Sequence, residues 1–243
     1  MIKLSVDQRK KGAKMKIHGL MKMTLLDFPG QVACTVFLGG CDMRCPFCHN
    51  SELLDMNAPE VMDENELYDF LSKRKGLLDG VVFTGGEPLL RRDIAPVMQK
   101  IREMGFKIKL DTNGNHPDRL KELVSSGLVD YVAMDIKNSP EKYGVTIGLP
   151  DFDISKVKES VEFLLEGKVP YEFRTTVVRQ FHDEESMKAI AEWISGADRY
   201  YLQGFVDRET VKFSGLEACS KEQMHSFLEI VKSSVKEADL RGV

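Results

Sequence analysis

The chain has 243 residues, enough for one or two domains, and its 42% hydrophobic content is sufficient for a single continuous core. Its 34 basic and 38 acidic side chains give a net charge of −4, which argues against nucleic acid as the main partner, because phosphate binding requires a basic surface. No run of residues approaches the roughly 18 apolar residues of a membrane span, so no membrane partner is expected.

The N-terminal residues 1–16 are predicted to form a basic leader, and a single domain ending in a C-terminal helix is expected over 17–243. The leader has no apolar segment of the kind that secretory signal peptides contain. The chain has five cysteines, an odd number, and three of them fall within residues 41–48. Such clustering is typical of metal or redox sites in the cytosol rather than of a disulfide framework. The predicted location is therefore cytoplasmic.

Apolar runs of strand length alternate along the chain with amphipathic helical stretches. The first helix is predicted from about Glu64, where Asp63 and Glu66 have the spacing of a capping box, and Ser220 with Gln223 begins the last helix. Six strands, each followed by a helix, predict an α/β fold with a parallel sheet, and six units are too few for a closed eight-stranded barrel. The predicted strands are Cys34–Leu38, Val81–Thr84, Lys107–Leu110, Tyr131–Met134, Tyr171–Val178 and Tyr200–Phe205.

The first strand is followed directly by a loop that contains Cys41, Cys45 and Cys48. This is the edge of the sheet at which open α/β proteins bind ligands. Three thiolates on one short loop can bind three corners of an iron–sulfur cubane. Because Cys34 lies inside a strand and Cys219 is remote, neither is an obvious fourth ligand. The loop therefore predicts a [4Fe–4S] cluster with one open iron.

Two other interpretations of the cysteine loop are open. A zinc ion could be bound by the three cysteines and His49, although His49 directly follows Cys48 and structural zinc ligands usually have wider spacing. The thiols could also serve only in packing, but proline and charged residues surround them. The iron–sulfur interpretation is favoured, with a zinc-bearing binding module as the alternative from a different functional class.

The spacing C-x-x-x-C-x-aromatic-C, with Phe47 before the last cysteine, resembles the signature of the radical S-adenosylmethionine (SAM) superfamily. Asn50 after the loop and Asp27–Gly30 before it resemble the activating enzymes of glycyl radical enzymes. Within these, the chain is most similar to the activating proteins of anaerobic ribonucleoside-triphosphate reductase. The resemblance covers about residues 17–205 and implies a partial (β/α)6 barrel of the radical SAM type with parallel strands, in agreement with the strand count.

The second predicted strand ends in Gly85, Gly86 and Glu87. Glycines allow a backbone to approach a ligand without a Cβ atom between them. A Gly-Gly turn alone is often only a tight connection between a strand and a helix. The resemblance implies instead that this segment binds the amino group of SAM, with the Glu87 carboxylate as the acceptor of its hydrogen bonds.

The third predicted strand ends at Asp111 and Asn113, and the fourth ends at Asp135 and Lys137. Two acids and a lysine at neighbouring strand ends are unfavourable to bury without partners. An Asx turn begun by Asp111 is the plain structural alternative. The resemblance implies that these residues line the SAM site, and that the two aspartates can hold a monovalent cation beside the SAM carboxylate.

Strand alternation places Glu172 and Arg174 on the same face of the fifth predicted strand. The guanidinium of an arginine binds a carboxylate with two parallel hydrogen bonds, and the resemblance assigns Arg174 to the SAM carboxylate. A solvated arginine is the alternative from spacing alone. Gln203, at the end of the sixth strand, is also predicted to bind the cofactor, and it lies near the position where some of these activating enzymes carry a histidine. His182 and His225 are predicted to be ordinary surface residues.

The resemblance implies that SAM is cleaved reductively at the open iron, giving methionine and a 5′-deoxyadenosyl radical. The implied substrate is a glycine Cα of a glycyl radical enzyme, expected to be anaerobic ribonucleotide reductase. The implied electron donor is a low-potential protein such as flavodoxin or ferredoxin. A radical SAM enzyme that acts on a small molecule or a peptide is the alternative, because nothing in the sequence specifies the substrate.

Overall fold

Strands and helices alternate along residues 14–243, the part of the chain that the computed structural model describes. Capping boxes begin three of the helices, at Asp63, Asp183 and Ser220, because each side chain accepts a hydrogen bond from a backbone N–H of the first helical turn. None of the helices described here has the length and apolar character needed to cross a membrane. The strands are β1 (Lys16–Ile17), β2 (Gly19–Thr24), β3 (Ala33–Leu38), β4 (Met62–Asp63), β5 (Gly80–Gly85), β6 (Lys107–Thr112), β7 (Tyr131–Asp135), β8 (Tyr171–Val177), β9 (Arg199–Gly204) and β10 (Glu237–Arg241). The helices are α1 (Glu64–Ser72), α2 (Ile94–Glu103), α3 (Pro117–Ser125), α4 (Tyr143–Thr146), α5 (Ser155–Leu165), α6 (Glu184–Trp193) and α7 (Lys221–Lys232).

The main sheet of the described residues has eight strands in the order β10-β9-β8-β7-β6-β5-β3-β2. All neighbouring strands are parallel except β2 and β3, which are antiparallel. The six predicted strands are β3 and β5 to β9, and each runs beside the next one along the chain. Because β2 and β10 do not pair with each other, the sheet stays open, and the predicted partial barrel with parallel strands is confirmed.

Strands β2 and β10 extend the predicted sheet at its two edges. Three residues of β2, Met21 to Met23, are exposed, so this strand lacks the buried alternation by which the others were predicted. Strand β10 is polar, with the sequence EADLR, and it docks on β9 partly through the Arg241 guanidinium, which lies 3.5 Å from the centroid of the Tyr201 ring. Both strands depend on pairing and charge rather than on an apolar pattern.

The described part of the chain begins within the predicted leader. Met15 is fully buried, and Lys16 pairs in register with Asp63 between β1 and β4. Lys14 also forms an ion pair with the Asp63 carboxylate. Residues 14–16 therefore belong to the packed structure, and the rest of the predicted leader, 1–13, lies outside the described residues.

Candidate active site

A cavity of about 210 Å³ opens where the parallel strands end. Because neighbouring parallel strands end at the same edge of a sheet, the loops after β3, β5, β6 and β7 meet there, together with residues of β8 and β9. Every site residue predicted from the sequence lines this cavity except Glu87. Those that line it are Cys41, Cys45, Phe47, Cys48, Gly85, Gly86, Asp111, Asn113, Asp135, Lys137, Arg174 and Gln203.

The three cysteines of the loop after β3 are free thiols that border one cavity. Burial raises the pKa of Cys41 to about 12 and that of Cys45 to about 11. Such thiols become thiolates only beside a compensating positive charge, which bound iron provides. The donor set therefore fits a cluster held by cysteine ligands.

Phe47 holds this loop on the body of the protein. Its ring is 4% exposed and lies 5.8 Å from the ring of Phe181, centroid to centroid. The backbone of the loop also turns tightly, since the N–H of Cys48 donates to the carbonyl of Cys45 at 3.2 Å. The aromatic residue of the cysteine motif is thus a packing anchor that borders the cavity.

His49 borders the same cavity as the three cysteines, and its ring is held by the chain that follows β9. Its ring stacks on Phe205 with 5.6 Å between centroids, and its Nε2 lies 2.7 Å from the carbonyl oxygen of Val206. The contact at Nε2 occupies one of the two ring nitrogens that could bind a zinc ion, which counts against the zinc alternative.

Gly85 and Gly86 bring the loop after β5 against the cysteine loop. A Cβ atom on Gly85 would lie 2.4 Å from the backbone of Leu38, and one on Gly86 would lie 2.1 Å from the carbonyl oxygen of Gly40. The N–H of Glu87 donates to that same oxygen at 2.7 Å. Both glycines border the cavity, but the close approach that excludes a side chain is between two loops of the protein.

Asp42 attaches the cysteine loop to the segment that follows β6, and no sequence pattern identifies this role. Its carboxylate accepts hydrogen bonds from Asn113 Nδ2 at 2.8 Å and Asn115 Nδ2 at 2.6 Å, and it lies 2.9 Å from His116 Nε2. Burial alone would raise the pKa of Asp42, but these bonds lower it well below its usual range. No signal in the sequence links Asp42 to partners more than 70 residues away.

A network of ion pairs forms one wall of the cavity, lined by Asp111, Asp135, Lys137 and Arg174, with Lys109 paired to Asp111 outside the lining. Arg174 lies between two aspartates, with Nε 3.0 Å from Asp135 Oδ1 and Nη1 3.2 Å from Asp111 Oδ2. Lys137 Nζ lies 2.9 Å from Asp135 Oδ2, and Lys109 Nζ lies 2.6 Å from Asp111 Oδ1. Burial opposes ionisation of Asp135, yet Arg174 and Lys137 lower its pKa to about 2. The wall therefore carries three cations and two carboxylates, which leaves one positive charge for an anionic group.

The Glu87 side chain lies inside the protein and does not line the cavity as the sequence predicted. Its side chain is fully buried, and its carboxylate accepts hydrogen bonds from Thr112 Oγ1 at 2.9 Å and from the N–H groups of Asn113 at 2.6 Å and Leu89 at 3.0 Å. With three donors inside the protein, this carboxylate is turned into the body of the fold and supports the loop after β6. The prediction that it accepts hydrogen bonds from the SAM ammonium is not supported.

His182 is also placed differently from the prediction. It is 5% exposed; its Nδ1 accepts a hydrogen bond from the N–H of Val178 at 3.0 Å, and its Nε2 lies 3.0 Å from the carbonyl oxygen of Lys137. Both contacts are with backbone, which explains why no side-chain pattern revealed its burial. His225, by contrast, is exposed on α7 as predicted.

The buried Glu87 gives a prediction for stability. Burial raises its pKa from 4.5 to about 7, so the folded state binds the proton more tightly than the unfolded state. The free energy of unfolding therefore decreases as the pH rises from about 4.5 to about 7. Glu87→Gln has no such proton, and urea unfolding between pH 4 and about 8 is expected to show that the variant lacks this decrease.

The control is Glu103→Gln, which changes an exposed glutamate on α2 and should keep the wild-type pH dependence. Equal pH dependence in Glu87→Gln and the wild type would contradict the assignment of the titrating group.

Comparisons with known proteins show the family and the fold of the chain. Residues 35–194 match the family model described as the radical SAM superfamily. The chain is 29% identical over 241 residues to a Methanocaldococcus jannaschii protein provisionally named as a glycyl-radical enzyme activating enzyme, covering 95% of this chain and 97% of that protein. It is 32% identical over 128 residues to the pyruvate formate-lyase-activating enzyme of Clostridium pasteurianum, about half of each chain (51% and 52%). The solved domain of a Bacteroides vulgatus pyruvate-formate lyase-activating enzyme is similar in fold, with a TM-score of 0.56, 19% identity and coverage of 67% of this chain and 99% of that domain.

Proposed function

Because the chain belongs to the radical SAM superfamily, we propose that it is an activating enzyme that installs a glycyl radical on a partner enzyme. The observation that carries this proposal is the meeting of the cysteine loop and the ion-pair wall at one cavity. Similarity along 95% of the chain to a protein provisionally named as a glycyl-radical enzyme activating enzyme supports the choice of reaction.

Cys41, Cys45 and Cys48 would hold a [4Fe–4S] cluster through their thiolates. When bound, the cluster and SAM supply an electron and an organic radical that can abstract a hydrogen atom. The protein's part would be to bind and orient, and the proposal is supported by the three thiols and the charged wall bordering the same cavity.

Arg174 and Lys137 are the residues that would bind the SAM carboxylate. Both border the cavity, and the wall has one cation more than its carboxylates neutralise. Asn113 and Gln203 offer amide groups to the same space and complete the polar lining. A carboxylate bound there would balance the charge of the wall.

The proposed partner is anaerobic ribonucleoside-triphosphate reductase, with a glycine of a flexible loop as the hydrogen donor. The open edges of the sheet support a macromolecular substrate, because a closed barrel would bury the cavity. Leu25 and Leu26, in the turn after β2, are 68% and 88% exposed and add apolar surface at one such edge. The electron would come from a low-potential protein such as flavodoxin or ferredoxin.

Electron paramagnetic resonance of the mixed proteins tests this proposal. Under anaerobic conditions, the reduced, cluster-loaded protein with SAM and the candidate reductase is expected to produce a doublet radical signal on the reductase. The doublet arises from coupling to the remaining glycine α-hydrogen, so reductase prepared with α-deuterated glycine should give a collapsed signal.

The matched control replaces the glycine of the reductase loop by alanine, which should give no signal while SAM binding is retained. Efficient turnover of a small molecule, with no radical on any protein of the same cell, would instead favour the alternative radical SAM reaction.

A further inference from the structure

We propose that Lys109 takes the place of a monovalent cation in the cavity wall, so that SAM binds without sodium or potassium. The inference rests on the proposed SAM site, and it concerns the pair Asp111 and Asp135, for which the sequence implied a bound cation. The described structure gives these two carboxylates a full set of cationic partners from the protein itself.

Each of the four carboxylate oxygens accepts a hydrogen bond from a different cationic nitrogen. On Asp111, Oδ1 is 2.6 Å from Lys109 Nζ and Oδ2 is 3.2 Å from Arg174 Nη1. On Asp135, Oδ1 is 3.0 Å from Arg174 Nε and Oδ2 is 2.9 Å from Lys137 Nζ. A metal ion that used any of these oxygens would displace or crowd an ammonium or guanidinium group. The residues present therefore do not fit a resident alkali cation.

Lys109 is the buried cation of this wall. It lies two residues before Asp111 on β6, so both side chains point to the same face of the strand. Its side chain is only 1% exposed, and a buried ammonium is stable only beside a negative charge. The burial of this lysine is thus explained by the carboxylate that it neutralises.

The charge balance of the surrounding wall supports the same conclusion. Lys109, Lys137 and Arg174 face two carboxylates, and the neighbouring Glu172 is paired with Arg241 through bonds of 2.8 and 3.0 Å. An added cation would increase an existing positive excess, whereas the SAM carboxylate removes it. Without the Lys109 ammonium, SAM binding would leave the wall with one negative charge, and an alkali ion would then be needed.

The test measures SAM binding by titration calorimetry in potassium chloride, sodium chloride and tetramethylammonium chloride at equal ionic strength. Wild-type protein, loaded with its cluster, is expected to bind SAM with dissociation constants that agree within about two-fold, because no binding interaction changes between the salts. Lys109→Met is expected to bind roughly ten-fold or more weakly in tetramethylammonium and to recover in potassium or sodium. Lys107→Met, at the exposed first residue of the same strand, should behave as the wild type.

A wild-type affinity that rises roughly ten-fold on adding potassium or sodium would overturn the inference. Equilibrium dialysis of wild-type protein with radioactive rubidium ions, run both with and without SAM, gives a second measurement that does not require a stable Lys109 variant. No bound rubidium supports the inference, and one ion per chain overturns it. Failure to bind SAM in every salt would count against the proposed function, and the dialysis would still decide the role of Lys109.

Discussion

Replacing Cys41, Cys45 or Cys48 by alanine is expected to abolish the [4Fe–4S] cluster and with it all cleavage of SAM. The three thiols border the cavity and are the proposed cluster ligands, and a cluster bound at only two corners has no further thiol within the loop. The measurements are iron and sulfide content after anaerobic reconstitution, visible absorbance of the cluster, and release of methionine from SAM.

Cys219→Ala is the matched control, because Cys219 is partly exposed and lies outside the cavity. It should bind a full cluster. Cys34→Ala should do the same, with a loss of about 1 kcal/mol in stability because this side chain is fully buried in β3. A Cys219 variant without iron, or a Cys45 variant with a full cluster, would show that the ligands are assigned wrongly.

Arg174→Met is expected to weaken both the fold and the binding of SAM. Removing one partner of a buried ion pair lowers the free energy of unfolding by at least about 3 kcal/mol. In this variant, two aspartates lose the cation that lies between them. Loss of the charged hydrogen bonds to the SAM carboxylate should reduce affinity roughly ten- to a hundred-fold. Urea unfolding and calorimetric titration of SAM measure the two effects separately.

The effect on stability should depend on pH with a definite sign. In the wild type, burial opposes ionisation of Asp135 but Arg174 and Lys137 lower its pKa to about 2, so its stabilising contribution is present above the unfolded value and is lost as the pH falls toward 2. Without Arg174 this pKa rises, so the variant should be least stable relative to the wild type near neutral pH and should approach it in acid.

The control is Arg179→Met, since that arginine is exposed and pairs with Glu217 at the surface. Its loss should cost at most about 1 kcal/mol and leave SAM binding unchanged. A defect of Arg174→Met that is the same at all pH values would contradict the role of the aspartate pair.

The buried strands and the capped helices could be predicted because their causes are local. A run such as Val81–Thr84 is apolar on both faces, and Asp63 and Ser220 cap helices through residues only two or three positions away. The carboxyl ends of parallel strands meet at one edge, and so strand order alone brought the cysteine loop and the charged residues together.

What could not be predicted depends on partners distant in the chain. Glu87 could face the cavity or the fold, and the choice is made by Thr112 and Asn113 on another strand. Nothing in the sequence distinguishes Asp42 and Lys109 from polar residues of the surface, because their roles depend on partners that only the structure reveals. Strand β10 has no apolar pattern, and its place follows from pairing with β9. In each case the deciding contact joins segments that sequence spacing does not relate.

The anchoring of the cysteine loop has a consequence for the order of biogenesis. Asp42 bonds to residues 71 to 74 positions later, and His49 contacts Val206, 157 positions later. Contacts between such distant segments form only after most of the chain has been synthesised and the intervening strands have assembled. The three thiols therefore reach their native spacing only after segments as distant as Val206 have assembled on the cysteine loop.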